Sequence, residues 1–143
     1  MYTFTGSCHC GNLRISFKSA LTLADLPLHA CQCSFCRTHG AVTVTDPGGR
    51  VSISASDPGR VRHYRFGLGI TDFLVCSDCG VFVAAVMEID GALYASINSN
   101  SLKRRAQLKN RPQPVDYADE TAEQRSMRRK KNWTPAAFNG TLA

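Results

Sequence analysis

Seven cysteines in three tight clusters limit this chain more than anything else in it. They are Cys8 and Cys10, then Cys31, Cys33 and Cys36, then Cys76 and Cys79, and Gly11 and Gly80 directly follow the first and third clusters. Spacing of this kind presents two or three sulfurs to one point, and zinc takes thiolates in a tetrahedron of four at about 2.3 Å. A glycine after such a pair permits the tight backbone turn that a metal knuckle needs. Only a division into four and three uses every cysteine without splitting a local cluster. Cys8, Cys10, Cys76 and Cys79 are then expected to form one closed, structural zinc site that staples two distant hairpins. Cys31, Cys33 and Cys36 are expected to hold a second zinc whose fourth position stays free, the pattern of a catalytic ion. The residues alone leave two other readings of the second cluster. A fourth ligand, from His9, His29, His39 or Asp78, closes it, or it is redox-active or empty.

Reading the cysteines as ligands and not disulfides presumes a reducing compartment. The opening Met1–Thr5 lacks the basic start and apolar run of a secretory signal, and no apolar stretch approaches the roughly 20 residues of a membrane span. The expectation is a cytoplasmic protein without a membrane partner. At 143 residues and 43% hydrophobic side chains, one globular domain is expected. The formal net charge of +6 is unevenly placed: residues 1–102 carry seven basic and seven acidic side chains, and residues 103–143 carry ten and four. Thiolates on zinc remove part of the remainder. The basic balance is therefore weak support for a nucleic-acid partner, and residues 1–102 show no aromatic–basic interleaving for base stacking.

The pattern over the first hundred residues is one of strands and turns. Asn12–Lys18 alternates, putting Leu13, Ile15 and Phe17 on one face. Ala41–Thr45 and Val51–Ala55 alternate too, and Asp46-Pro47-Gly48-Gly49 between them predicts a hairpin. Val61–Phe66, Thr71–Val75 and Val81–Ile89 are further strands, and Asp90-Gly91 predicts that Ala92–Ile97 pairs back on the last of these. The fold class expected is mainly β, a compact sandwich or partly closed barrel. Beyond Asn100 the character changes. A short helix is expected over Ser101–Asn110, and a second over about Tyr117–Lys131 with Asp116 as its cap. The second has acidic residues at its start and Arg128–Lys131 at its end, an order that suits the helix dipole. Residues 1–102 are thus expected to be a zinc-binding β domain, and 103–143 a basic extension packed on it.

Three stretches together resemble one family. Gly6-Ser7-Cys8-His9-Cys10-Gly11, then Cys31-Gln32-Cys33-Ser34-Phe35-Cys36-Arg37-Thr38-His39-Gly40-Ala41, then Phe73-Leu74-Val75-Cys76-Ser77-Asp78-Cys79-Gly80 resemble, in order and spacing, the motifs of the glutathione-dependent formaldehyde-activating (Gfa-like, or centromere-protein-V-like) family. The resemblance covers about residues 1–100. It implies an Mss4-like fold of twisted β-sheet, with Cys8, Cys10, Cys76 and Cys79 on structural zinc positions and Cys31, Cys33 and Cys36 on catalytic ones. It implies two zinc ions per chain, glutathione as co-substrate, and a carbon–sulfur lyase activity that joins formaldehyde to glutathione as S-hydroxymethylglutathione. Three cysteinates make such a centre electron-rich, which favours thiol activation over aldehyde polarisation.

Other residues have quieter readings. Arg37 and His39 follow the open cluster and are expected to be a solvated arginine and a turn histidine. Their functional alternative is a carboxylate contact and a proton carrier. Phe35 is expected to pack, and His63 and Tyr64 to be structural. The Arg125–Lys131 run is expected to be a solvated helix end. Trp133 is expected to tuck the tail against the body or against a second subunit, as in a homodimer. Two rival functions remain: a non-catalytic thiol- or metal-binding module, and an interaction module that uses the basic tail.

Overall fold

The computed structural model describes all residues 1–143. The chain is mainly β: eleven strands belong to one connected sheet, and the helices are short. The strands are β1 (Tyr2–Ser7), β2 (Leu13–Ser19), β3 (Leu28–Cys31), β4 (Thr43–Val44), β5 (Arg50–Ala55), β6 (Val61–Tyr64), β7 (Asp72–Cys76), β8 (Phe82–Ile89), β9 (Ala92–Asn98), β10 (Gln113–Val115) and β11 (Thr134–Phe138). The helices are α1 (Ser34–His39) and α2 (Ala122–Asn132). One path through the sheet runs β1-β2-β5-β11-β9-β4-β3-β10, and β8, β7 and β6 continue from the other edge of β9.

Where alternation and a local turn coincide, the expected elements form. Leu13, Ile15 and Phe17 of β2 are all buried, with polar residues between them. Asp90 and Gly91 both take positive φ and close the β8–β9 hairpin, in which Ile89 faces Ala92.

The mainly β class is as expected, with all strands in a single connected sheet. Three expectations change. The predicted hairpin of Ala41–Thr45 with Val51–Ala55 does not form: β4 pairs with β3 and β9, while β5 pairs with β2 and β11. The turn itself forms, with the Gly49 N–H donating to the Asp46 carbonyl and the Gly48 N–H to its carboxylate, both at 2.9 Å. Asp46 also accepts from Ser19 Oγ at 2.5 Å and donates its N–H to Thr134 Oγ1 at 2.8 Å, which ties the turn to distant segments. The predicted helix over Ser101–Asn110 is instead two single 3₁₀ turns, Ser99–Ser101 and Arg105–Gln107. The helix expected from Tyr117 begins at Ala122. Asp116 instead accepts from the Ala118 N–H, and the cap is a Thr121–Gln124 capping box. Replacing Thr121 with alanine removes half of that box and is expected to lower stability by about 1 kcal/mol in urea unfolding.

β11 lies between β5, to which it is parallel, and β9, to which it is antiparallel. β8 is buried on both faces and divides two cores. The larger core contains Cys8, Leu13, Ile15, Phe17, Leu74, Cys76, Val83 and Val86, and the smaller contains Cys36, Phe73, Phe82, Ala85, Met87 and Trp133. Cys76 and Cys36 thus belong to different cores.

Asp72 begins β7 and is fully enclosed. It accepts from His63 Nδ1 at 2.9 Å, Arg65 Nε at 2.5 Å and the Ala143 N–H at 2.7 Å. Burial alone would raise its carboxyl, but the Ala143, His63 and Arg65 bonds outweigh burial and hold it below the usual carboxylate value. A depressed folded-state pKa contributes stability that is present above the unfolded value and lost as pH falls through the folded one. The chain is therefore expected to lose stability below about pH 4. In Asp72→Asn, less stable at neutral pH, that part of the acid slope should be absent from urea titrations.

Candidate metal centre

The β1–β2 connection supplies Cys8 and Cys10, and the β7–β8 connection supplies Cys76 and Cys79. The ligand atoms of these four residues lie within 4.8 Å of one another. The Sγ of Cys10 is 3.8 Å from that of Cys8 and 3.6 Å from that of Cys76. Four sulfurs on a tetrahedral zinc, at bonds of about 2.3 Å, stand about 3.8 Å apart. The knuckle backbone also fits. Gly11 and Gly80 take φ of 87° and 78°, and N–H groups turn toward the sulfurs, as Leu13 N–H does to Cys8 Sγ at 3.3 Å. Burial pushes the Cys76 thiol up. For Cys79 burial acts the same way, but N–H groups of Cys10 and Val81 and bonds from Cys76 and Cys8 overcome it and bring the thiol to about 6. Asp78 is paired with Arg60.

Cys31 ends β3, Cys33 is the N-cap of α1, and Cys36 is its buried residue. Their ligand atoms also lie within 4.8 Å of one another, and no other histidine, cysteine or acidic ligand atom joins the group. β10 runs parallel to β3 with Val115 opposite Cys31, and Gln32 N–H donates to the Val115 carbonyl at 2.8 Å, so a distant segment fixes the ligand strand. Crowding separates the three thiols. Bonds from Cys31 and Cys36 hold Cys33 down at about 2, whereas the bond to Cys33 pushes Cys31 up and bonds to Cys31 and Cys33 push Cys36 far up. A divalent cation accepts all three as thiolates, so both donor sets fit zinc.

The second cluster lies on the wall of a cavity of about 850 Å³. Phe73, Phe82 and Trp133 give it an apolar side, and Arg125, Arg128 and Arg129 of α2 a basic one. Glu120 accepts from Arg128 Nε at 2.7 Å and Nη2 at 2.9 Å, and from Arg125 Nε at 3.3 Å. The Arg128 guanidinium lies 3.4 Å from the Tyr117 ring centroid. Arg129 is buried and lies over Trp133 at 4.3 Å. Burial, then the charges of Arg128 and Arg125, bring it down to about 9.

Residues 3–117 match the glutathione-dependent formaldehyde-activating enzyme family. The chain belongs to that family. A crystal structure of a Rhodobacter sphaeroides protein is similar, with 25% identity and a TM-score of 0.52 over 69% of this chain and 87% of that one. No curated protein matches. Both cysteine clusters fall inside the family match, and α2 and β11 lie beyond it.

Of the histidines and acids considered as a fourth ligand, none joins the Gfa-like cluster. His9 and His39 are exposed, Asp78 has its arginine, and His29 lines the cavity without entering the thiol group. Burial, and then Arg128, lower the His29 pKa. Arg37 is exposed, and the His39 ring rests 4.4 Å from Phe35, so neither lines the cavity. Phe35 packs among Tyr64, Phe66, Phe73 and Phe82. Trp133 is buried in the smaller core. The reading of the Arg125–Lys131 run as a solvated helix end is corrected for Arg125, Arg128 and Arg129, which turn to the cavity. Lys130, on the outer side, pairs with Asp90 at 2.8 Å. The wall that α2 builds was missed because a basic run at a helix C-terminus has the same sequence whether it meets water or a cavity.

Proposed function

We propose that the cavity is a thiol–aldehyde site, and that the chain makes and breaks the carbon–sulfur bond between a small aldehyde and glutathione or a related thiol. One observation carries this reading: three thiols, with no fourth protein donor, on the wall of a cavity far larger than a water molecule. Cys31, Cys33 and Cys36 would hold a zinc ion there, and that ion would supply thiol acidity, favouring sulfur as the anion. Cys8, Cys10, Cys76 and Cys79 would hold the structural ion.

The rest falls to the chain's own residues. β10 and the α1 cap keep the three ligand sulfurs in place, and the aromatic side confines a small aldehyde next to them. The thiol gives up its proton, sulfur attacks the aldehyde carbon, the C–S bond forms, the C=O π pair moves to oxygen, and that oxygen takes up a proton from water in place of the one the thiol released. The reverse reaction breaks the C–S bond and returns thiol and aldehyde. Orientation is the main contribution, since the two reactants already combine unaided. In this reading residues 103–143 complete the site on residues 1–102, because β10 and α2 supply two of its walls.

Exchange NMR of formaldehyde with glutathione tests the proposal. Zinc-loaded protein is expected to accelerate exchange above the spontaneous rate. A rate equal to buffer, with glutathione still bound, would leave a thiol-holding protein and remove the catalytic claim.

A further inference from the structure

We propose that the cavity selects a thiol that carries a carboxylate, and that Arg129 is the group that binds it. The inference rests on the thiol–aldehyde reading and names the substrate class for the same site. Arg129 is 7% exposed and has no acidic partner. The nearby carboxylate of Glu120 is already taken by Arg125 and Arg128. The protein bonds of the Arg129 guanidinium all leave from Nη1, to Thr71 Oγ1 and Met87 Sδ, and its Nε is enclosed without any partner. Folding leaves a buried cation uncompensated only at a cost. Here the guanidinium lies over Trp133 and Thr71 holds Nη1, so the group is set at the cavity wall before any ligand arrives, with Nη2 left to meet one. A carboxylate answers that cation in charge and accepts from its free donor.

The surroundings favour an anion too. Three arginines line the cavity, and Asp116 is its only acidic lining residue. Formaldehyde fills little of about 850 Å³, which leaves the remaining space to the thiol's body. The cysteine cluster, through Cys31, offers Arg129 part of the missing counter-charge, so the rival role is support of that cluster alone. Arg129 also lies beyond residues 3–117, the part that matches the family. The proposed selectivity is therefore carried by a helix outside the matched part.

Calorimetry on the zinc-loaded full chain with two matched pairs tests this: 3-mercaptopropionate against its methyl ester, and glutathione against its dimethyl ester. The acids are expected to bind about tenfold more tightly than the esters, the size of a charge-assisted hydrogen bond. In Arg129→Met the two should bind about equally, and Arg129→Lys, which keeps the charge and loses the guanidinium, should retain part of the preference. Thr71→Val keeps the charge and frees Nη1, and it should weaken the acids and not the esters. It carries the test should Arg129→Met fail to fold. Equal binding of acid and ester to the unaltered chain overturns the proposal, as does a preference that survives Arg129→Met. Arg129→Met that loses the second zinc, with Arg129→Lys and Thr71→Val showing the full preference, assigns the arginine to the cluster and overturns it as well. A chain that binds neither acid nor ester overturns the thiol reading itself, a result distinct from equal binding of both.

Discussion

Cys79→Ala is expected to cost the chain its fold. Cys8 and Cys10 join β1 to β2, Cys76 and Cys79 join β7 to β8, and the four sulfurs are the point at which these two hairpins meet. A structural zinc site contributes an apparent binding free energy of about 10–16 kcal/mol at neutral pH. A domain's whole stability is about 5–15 kcal/mol. Removing one ligand leaves three sulfurs, two of them on residues 1% exposed, that come from two separate hairpins and, unlike the local Cys31–Cys36 set, depend on the ion itself to stay together. The expected result is a chain that has lost one zinc by native mass spectrometry, its near-ultraviolet dichroism and its cooperative melt. A cooperative transition within a few degrees of the unaltered chain would show that this site does not hold the fold.

Cys33→Ala should do the opposite: a folded protein with no chemistry. Cys33 is half-buried at the start of α1, where its sulfur accepts from the Cys36 N–H at 3.4 Å. Losing that cap costs about 1 kcal/mol. Losing one of only three donors, in contrast, leaves two protein ligands for the ion. The expected outcome is one zinc in place of two, no glutathione bound, and formaldehyde–glutathione exchange at the spontaneous rate, in a chain that melts nearly as before. Should Cys33→Ala unfold the chain as badly as Cys79→Ala, the division of labour between the clusters is wrong.

The cysteine groups were accessible from sequence because each is local: two or three sulfurs within six residues, and glycines where the backbone must turn left-handed. The same holds for the β2 face and the β8–β9 turn, whose alternation and Asp-Gly signal act over neighbouring residues. Long-range pairings carry no such mark. Nothing in Gln113–Val115 or Thr134–Phe138 announces a parallel partner in β3 or β5. The Asp46–Gly49 turn looked like a hairpin because its bonds to Ser19 and Thr134 depend on residues far away. Thr121 and Gln124 carry the spacing of a capping box, and Asp116 competes with them in sequence because its side chain caps equally well but here closes a local turn on Ala118. Arg129 is the sharpest case. Its neighbours in sequence are exposed or paired, and only the fold shows that it points inward with an unused nitrogen.

The position of β11 bears on how this protein is made. On the ribosome the segment that fills the gap between β5 and β9 leaves the exit tunnel only after β1 to β10 have been synthesised. Until then β5 and the Leu93–Ala95 stretch of β9 each present an unsatisfied row of backbone groups, a template for pairing with other nascent chains. Closure also waits on contacts that are distant along the chain, which slows folding. The segment that seals the sheet follows directly on the helix that carries Arg129 to the cavity. Completion of the scaffold and placement of the arginine-lined wall are thus linked steps, and until β11 pairs, the chain stays adhesive.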